Sequence, residues 1–520
     1  MHSFFIMVIL RLFCIIGVMT AYSLAKRCIA FLGSRIFFIG VMLVFLVQAL
    51  WLALSALYPM AFDEEVHFGI INIYAHQWSP FLAGQPAGAD SFGAIARDPS
   101  YLYHYLMSFP YRALEHLTSN MTVQIVALRF INIALFAAGL LVFRRVLLRL
   151  TKSSPFTHLA LAVFILIPIV PQLAAHINYD NLLFLLVGWC VLLTTDIHRQ
   201  FAAGRVELRS IGALAVLSLF TSIVKYSFLP ILLALIVFLI YDAWRSFRGN
   251  APGLTAAIGK NWRTIGTRAR VGFVVLFIVS GGLFFQRFGV NLLRYHTPVP
   301  ACDQVLTFEH CSLYGPWIRD YNYSLDQLQA DPNPLRYTAS WFYGLWYRMF
   351  FAINSKARDY QNFAPLPLPA GAMALLAGSS FVLILVFARR IFAQPLFVMC
   401  GLVLIFYCGA LWFDNFKAYR HTGEEVAVNG RYLLVILPLA MALAWRAWSY
   451  ALARASTWVK PAIAAAVLLL FLQGGGAMTF ILRSDASWDW SNHRVVQAND
   501  LARKIIAPVV VEGKKDKYGL

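Results

Sequence analysis

Four short stretches of this chain put ionisable side chains where chemistry can use them. AFDEEVHF (61–68) carries Asp63, Glu64 and Glu65 in a row, with His67 just after. HINYDN (176–181) carries Asn178, Asp180 and Asn181, and SIVKYSFLP (222–230) carries Lys225. VNGRYLLVILP (428–438) carries Asn429 and Arg431, with His421, Glu424 and Glu425 upstream. A positioned carboxylate can take a proton from an attacking hydroxyl. An arginine can fork onto phosphate oxygens, and a lysine adds a point charge. One site built from these groups would hold both a base and a phosphate clamp. On a helix beginning at 63, Asp63 and His67 share a face, whereas Asp63 and Glu64 diverge by about 100°. Each stretch also has a purely structural reading. The acids suit a helix N-terminus, the asparagines suit turn capping, and Lys225 and Arg431 could snorkel to an interface.

The elements that must position these groups are membrane spans. The chain is 60% hydrophobic and only 13% charged, about half the charge of a soluble protein. Its apolar runs are roughly 17 to 23 residues long, the length of a bilayer-crossing helix. The reading is an all-α polytopic membrane protein with apolar segments at 4–23, 36–58, 122–142, 157–175, 180–197, 210–225, 228–242, 271–288, 369–388, 392–413, 432–447 and 461–482. The first carries Arg11 and reads equally as an amphipathic or signal-like start.

A net charge of +19 is explained by topology. About half of the 43 Lys and Arg fall in short, acid-poor loops such as RRVLLRLTK (144–152) and KNWRTIGTRAR (260–270), the positive-inside pattern. No nucleic-acid partner is expected. Lys26, Arg27 and Arg35 place the N-terminal end of the 36–58 span in the cytoplasm. Alternation then puts 59–121, 287–368, 414–431 and the tail 483–520 outside, around a membrane core of 1–482. All four chemical stretches thereby fall at the outer ends of spans. The cytoplasmic loops hold no Walker motif or Gly-rich dinucleotide turn. Aromatic spacing in IINIYAHQW (70–78) and ASWFYGLWYRMFF (339–351) suits helices lying in the interface. Cys302 and Cys311 share one outer loop, where a disulfide is expected.

These features resemble the GT-C superfamily of multipass glycosyltransferases. Those proteins have 11 to 13 spans, an acidic motif in the first outer loop and interfacial helices there. More narrowly, the chain is similar to a bacterial group sharing D-E-x-x-H-F, here DEEVHF (63–68), K-x-x-x-x-P, here KYSFLP (225–230), and G-R-Y-x-x-x-x-P, here GRYLLVILP (430–438). The resemblance implies a polyprenyl-phosphate-sugar donor, an envelope glycan, lipid or protein acceptor, and transfer at the outer face of the bacterial inner membrane. Asp63 matches the catalytic base, with Glu64 and His67 beside it. Lys225 and Arg431 would hold the donor phosphate. Asp180, His421, Glu424, Glu425 and Asn429 are candidates for substrate binding. Some branches hold a divalent metal (Mg or Mn) on their acids and others none, and no metal ligand set is assigned here. Burial or a nearby Glu64 is expected to raise the Asp63 pKa toward that of a useful base. A lipid-linked oligosaccharide polymerase or ligase, or a polytopic transporter, remains an alternative, and the oligomeric state is open.

Overall fold

The computed structural model describes residues 18–60, 63–248, 265–325, 333–350, 362–456, 458–484 and 489–512, with scattered positions in 253–261 and at 352–353. Most of the first apolar segment, 4–23, lies outside these residues. Among the described residues, eight helices are long and apolar enough to cross a membrane: Arg35–Ser55, Met121–Thr151, Tyr179–Ala202, Tyr226–Phe247, Thr267–Tyr295, Pro367–Val386, Pro395–Thr422 and Val459–Arg483. The expected segments at 157–175, 210–225 and 432–447 are shorter helices, Ser154–Ile165 followed by Ile169–Ala174, Leu208–Val224 and Leu437–Ala451. The protein is an all-α polytopic membrane protein.

We number the helices that position the candidate residues α1 (Arg35–Ser55), α2 (Glu64–Ala75), α3 (Leu102–Leu117), α4 (Met121–Thr151), α5 (Tyr179–Ala202), α6 (Gly315–Leu325), α7 (Pro334–Phe350), α8 (Pro395–Thr422) and α9 (His493–Ile506). Ser34 starts α1 by accepting from the Phe37 N–H, and Asn120 starts α4 by accepting from that of Val123. These side chains satisfy donors that a helix start otherwise leaves unpaired.

Helices α4 and α5 form the central seam. At Gly139 a Cβ would run into the Phe184 ring, so only glycine lets the two backbones approach this closely. Phe184 stacks on Phe136 with 4.5 Å between centroids and tilts against Phe143 at 4.6 Å. Above this aromatic layer the seam turns polar. Asn132 Oδ1 accepts from Tyr103 Oη at 2.9 Å, from Asn181 Nδ2 at 3.0 Å and from the Asn178 N–H at 3.4 Å. One amide thus ties α3, α4 and the start of α5 together.

In the 59–121 loop, α2 packs on α3. Arg112 of α3 donates to the carbonyls of Tyr74 at 2.8 Å, Ala75 at 2.6 Å and Gln77, and lies 4.2 Å over the Trp78 ring. It thereby satisfies carbonyls that the end of α2 leaves open. The apolar stripe expected to face lipid, Ile70, Ile71 and Tyr74, is buried in the protein core, while Trp78 just beyond the helix is 78% exposed. The second expected interfacial segment is α7, whose Tyr337, Trp341 and Leu345 pack with Val428 and α8 side chains.

Two boundaries differ from expectation. The expected outer loop 414–431 begins as helix, because α8 continues to Thr422 and ends at Gly423 with φ 74°. Asp414, Asn415 and His421 are therefore helical, and the connection shortens to the residues after 422. The tail also folds back on the first span. Asn499 of α9 accepts from Trp51 Nε1 at 2.8 Å and Ser55 Oγ at 3.3 Å, and the Trp490 N–H donates to Ser55 O at 2.9 Å.

Cys302 and Cys311 form a disulfide, with 5.8 Å between Cα atoms, and Cys28 is free and exposed. Under the orientation set by the charge bias, a membrane-impermeant thiol reagent added outside intact cells should label Cys302 and Cys311 only after reduction. It should label Cys28 only after permeabilisation. Labelling of Cys28 in intact cells would reverse the topology.

Candidate functional site

The four stretches meet at the N-terminal end of the α4–α5 seam. Asp63 sits just before α2 with φ 74° and ψ 19°, and its side chain caps nothing. A non-glycine residue in the left-handed region is strained unless its surroundings hold it there. Here Arg431 Nη2 donates to Asp63 Oδ2 at 2.7 Å. The expected N-cap alternative is therefore set aside for Asp63, whose carboxylate turns away from the helix toward the arginine. The Asp63 side chain remains 47% exposed, whereas that of Arg431 is 7% exposed, so the carboxylate lines an accessible space and the guanidinium forms its wall.

Arg431 is positioned by its own turn. The Asn429 carboxamide accepts from the Arg431 N–H at 3.0 Å, and Tyr407 Oη donates to the Tyr432 carbonyl at 2.8 Å. Gly430 is required here for packing: φ is not positive there, but a Cβ would collide with Leu345 O and Met349 of α7. Lys225 stands between Leu208–Val224 and the following span. Its ammonium donates to Asp180 Oδ1 at 2.6 Å and lies 4.3 Å from the Tyr179 ring centroid. Lys225 Nζ and Arg431 Cζ each lie 5.2 Å from the Tyr432 ring centroid. Two cations and two carboxylates therefore share one aromatic wall.

Burial pushes the Asp63 carboxyl up, but the charge of Arg431 and its hydrogen bond outweigh this and hold it below the ordinary value. The expectation of a raised pKa is thus reversed in the resting site, because the nearest neighbour is a cation and Glu64 is committed elsewhere. Glu64 is fully buried. Its oxygens take Arg129 Nε at 2.9 Å, Arg129 Nη2 at 2.7 Å, the Met60 N–H at 2.7 Å and the Ile177 N–H at 3.3 Å. A carboxylate with four donors has little capacity left to act as a base, so Glu64 anchors the site and is not a catalytic group. Glu65 points to the exposed side of the helix.

His67 follows Asp63 on one face, but its ring reaches elsewhere. Nδ1 bonds to His104 Nε2 at 2.9 Å, and the two rings stack with centroids 5.1 Å apart. His67 contacts Asp63 through its backbone, with its N–H on the Asp63 carbonyl at 2.9 Å. The ring does not orient the carboxylate as expected. Its buried Nε2 has no partner among the described residues, and neither has Nε2 of His176. Burial first, then neighbouring histidines and cations, keep His67 well below its ordinary value. Burial likewise pushes His104 down to about 3 and His176 to about 4.

Of the remaining expected residues, Asp180 and Asn429 belong to the cluster, the first through Lys225 and the second by capping Arg431. His421, in the last turn of α8, and Glu424, just after it, are exposed, and Glu425 bonds to Ser340 of α7. Among the described residues, no hydrogen bond or ion pair links these three to the cluster. No group of three His, Cys, Asp or Glu side chains among the described residues could hold a metal ion.

Sequence reasoning missed Arg129, His104 and His176. Arg129 had a legible signal, a lone charge inside the apolar run 122–142, where an ionisable group needs a partner. The histidines had none, since their importance comes from packing between distant helices. Compared with known proteins, the chain matches no family model and no curated sequence.

Removing one partner of the buried Arg129–Glu64 pair should cost about 3–5 kcal/mol, because the other charge is stranded. Glu64→Gln and Arg129→Met should each lower the melting temperature in detergent markedly, whereas a surface Glu65→Gln should not. Acid should also destabilise the fold. Glu64 is held below its ordinary 4.5, so its contribution is present above that value and is lost as pH falls through its folded pKa. His104 and His176 stay neutral in the fold while the unfolded chain protonates, so stability falls from about pH 6.5 down toward pH 4. A melting temperature unchanged between pH 7 and 4 would contradict this assignment.

Proposed function

We propose that the protein is a glycosyltransferase that moves a sugar from a polyprenyl-phosphate donor to an envelope acceptor at the outer face of the bacterial inner membrane. The observation that carries this reading is the Asp63–Arg431 ion pair, with Lys225 on the same aromatic wall. A carboxylate with its own arginine is a resting arrangement that an incoming phosphate can open.

The donor is a phosphodiester with a single charge, as a carboxylate has. Seated beside the guanidinium it shares Arg431 with Asp63, and the second charge that the phosphate gains as its bond to the sugar breaks draws Arg431 away from Asp63. Lys225 adds its charge from the Asp180 side. Asp63 then loses the cation that holds its pKa down, and the donor seated over its exposed side desolvates it toward a value suited to a base. The acceptor hydroxyl attacks the anomeric carbon as its proton passes to Asp63. The bond from that carbon to the phosphate oxygen breaks, and the anomeric centre inverts. The polyprenyl phosphate leaves with its charge stabilised by Arg431 and Lys225. No step is routed through a divalent metal: the Glu64 oxygens are taken by Arg129 and two backbone N–H groups, and Asp63 alone is not an oxygen cage.

Asp63→Asn should express and melt normally yet abolish transfer, and Arg431→Ala should lower turnover by about 10²–10³-fold. The assay compares lipid-linked sugars and envelope glycans, by mass spectrometry, in a strain lacking the gene and complemented with each variant. Full complementation by Asp63→Asn would remove Asp63 as base. An unchanged glycan profile on deletion would remove the transferase reading.

A further inference from the structure

The outer loop 287–368 carries a feature that the chemistry above does not use. Helix α6, GPWIRDYNYSL, has no buried residue although it bears Trp317, Ile318, Tyr321, Tyr323 and Leu325. Trp317 and Tyr321, one turn apart, stack with centroids 5.2 Å apart and planes 10° apart. Phe308 meets both edge-on, at 5.5 Å and 5.1 Å, and is itself 51% exposed. Three rings thus form a partly open aromatic surface.

The surface is fixed in place from beneath. Phe308 lies inside the Cys302–Cys311 disulfide loop. His310 Nδ1 bonds to Asp90 Oδ2 at 2.8 Å, joining that loop to the first outer loop. Tyr314, one residue before α6, lays its ring against Gly93, with its edge 3.1 Å from where a Cβ would stand. Burial, then the charges of Asp63 and Asp98, push the Tyr314 phenol up. Tyr314 and His310 thus tie the disulfide loop and the start of α6 to the loop 59–121 that carries Asp63.

We infer that Phe308, Trp317 and Tyr321 form a carbohydrate-binding platform that holds the acceptor glycan, on a loop that Tyr314 and His310 fasten to the one carrying Asp63. The inference rests on the glycosyltransferase reading for the word acceptor, and on the rings alone for carbohydrate. Aromatic faces take the apolar C–H face of a sugar while their polar neighbours take its hydroxyls. The neighbours here are polar. Asp320 flanks the ring face on the helix and is substantially exposed, ion-paired at 2.6 Å with Arg319 on the side away from the rings. A lipid tail or an apolar protein face would strand the Asp320 carboxylate, whereas sugar hydroxyls would pair with it.

The test uses the full chain in nanodiscs, with chitotriose and maltotriose as probes and saturation-transfer NMR as readout. The wild type should transfer saturation to at least one probe at about millimolar affinity. Trp317→Ala and Phe308→Ala should each weaken binding roughly tenfold or more, while Trp317→Phe retains most of it. Formation of the Cys302–Cys311 bridge in each variant, read by gel mobility, shows that the loop has folded. Asp63→Asn should keep saccharide binding while losing transfer. Binding unchanged in both alanine variants, or no binding of either probe by the wild type, overturns the platform. A response to phospholipid vesicles lost with Trp317 and no response to saccharide also overturns it, making the rings a membrane anchor. Saccharide binding by a chain without transferase activity leaves the platform standing and removes the transferase reading. Transfer with an acceptor KM unchanged by Trp317→Ala does the reverse.

Discussion

The Glu64–Arg129 pair is the interaction on which the rest depends. Arg129 rises from the middle of α4 and meets, besides Glu64, the carbonyls of Ala53 at 3.0 Å and Ala56 at 2.6 Å. Glu64 in turn takes the N–H groups of Met60 and Ile177. One ion pair thus fixes the end of α1, the start of α2, the body of α4 and the turn leading into α5. A charge pair withdrawn from water repays its desolvation only when the remaining lone pairs and protons are satisfied. Here they are satisfied by backbone that must turn at that place. The cost of burial is converted into positional accuracy for the residue immediately before Glu64.

That residue, Asp63, shows how the accuracy is used. The helix begins one position later, so Asp63 falls in the left-handed region and its carboxylate swings away from the α2 N-terminus. The adjacent acids consequently have opposite fates. Glu64 is buried, saturated and structural, while Asp63 is accessible, strained and held by a single partner. A pair such as Asp63–Arg431 is inert as found, and the same proximity that suppresses basicity in the resting site makes it responsive to a competing anion.

Much of the architecture was legible because it follows from composition. Long apolar runs with charges confined to their ends leave little alternative to a helical bundle, and every described span lies within or across an expected segment. Boundaries were less legible where polar residues continue a helix, as in the last two turns of α8, because Asp414 and Lys417 look like loop in sequence and are tolerated on a helix that leaves the apolar layer. The cluster was legible in its ionisable members, which hydrocarbon penalises unless they are used. It was not legible in its geometry. Spacing along one helix suggested that His67 supports Asp63, but a partner 37 residues away, His104, claims the ring. Local periodicity carries no information about such competition.

The clasp between the tail and the first span has a consequence for how the protein is made. Asn499 bonds to Trp51 across a separation of 448 residues, and Arg431 reaches Asp63 across 368. Spans inserted early must therefore wait, with their outer ends incomplete, until the last part of the chain arrives. Contacts of such long separation form late in assembly. A ribosome that stalls before residue 431 leaves the acid without its arginine, and one that stalls before 499 leaves the first span without its clasp. The ion-paired cluster is in this sense a seal on finished synthesis, closed by residues far apart along the polypeptide.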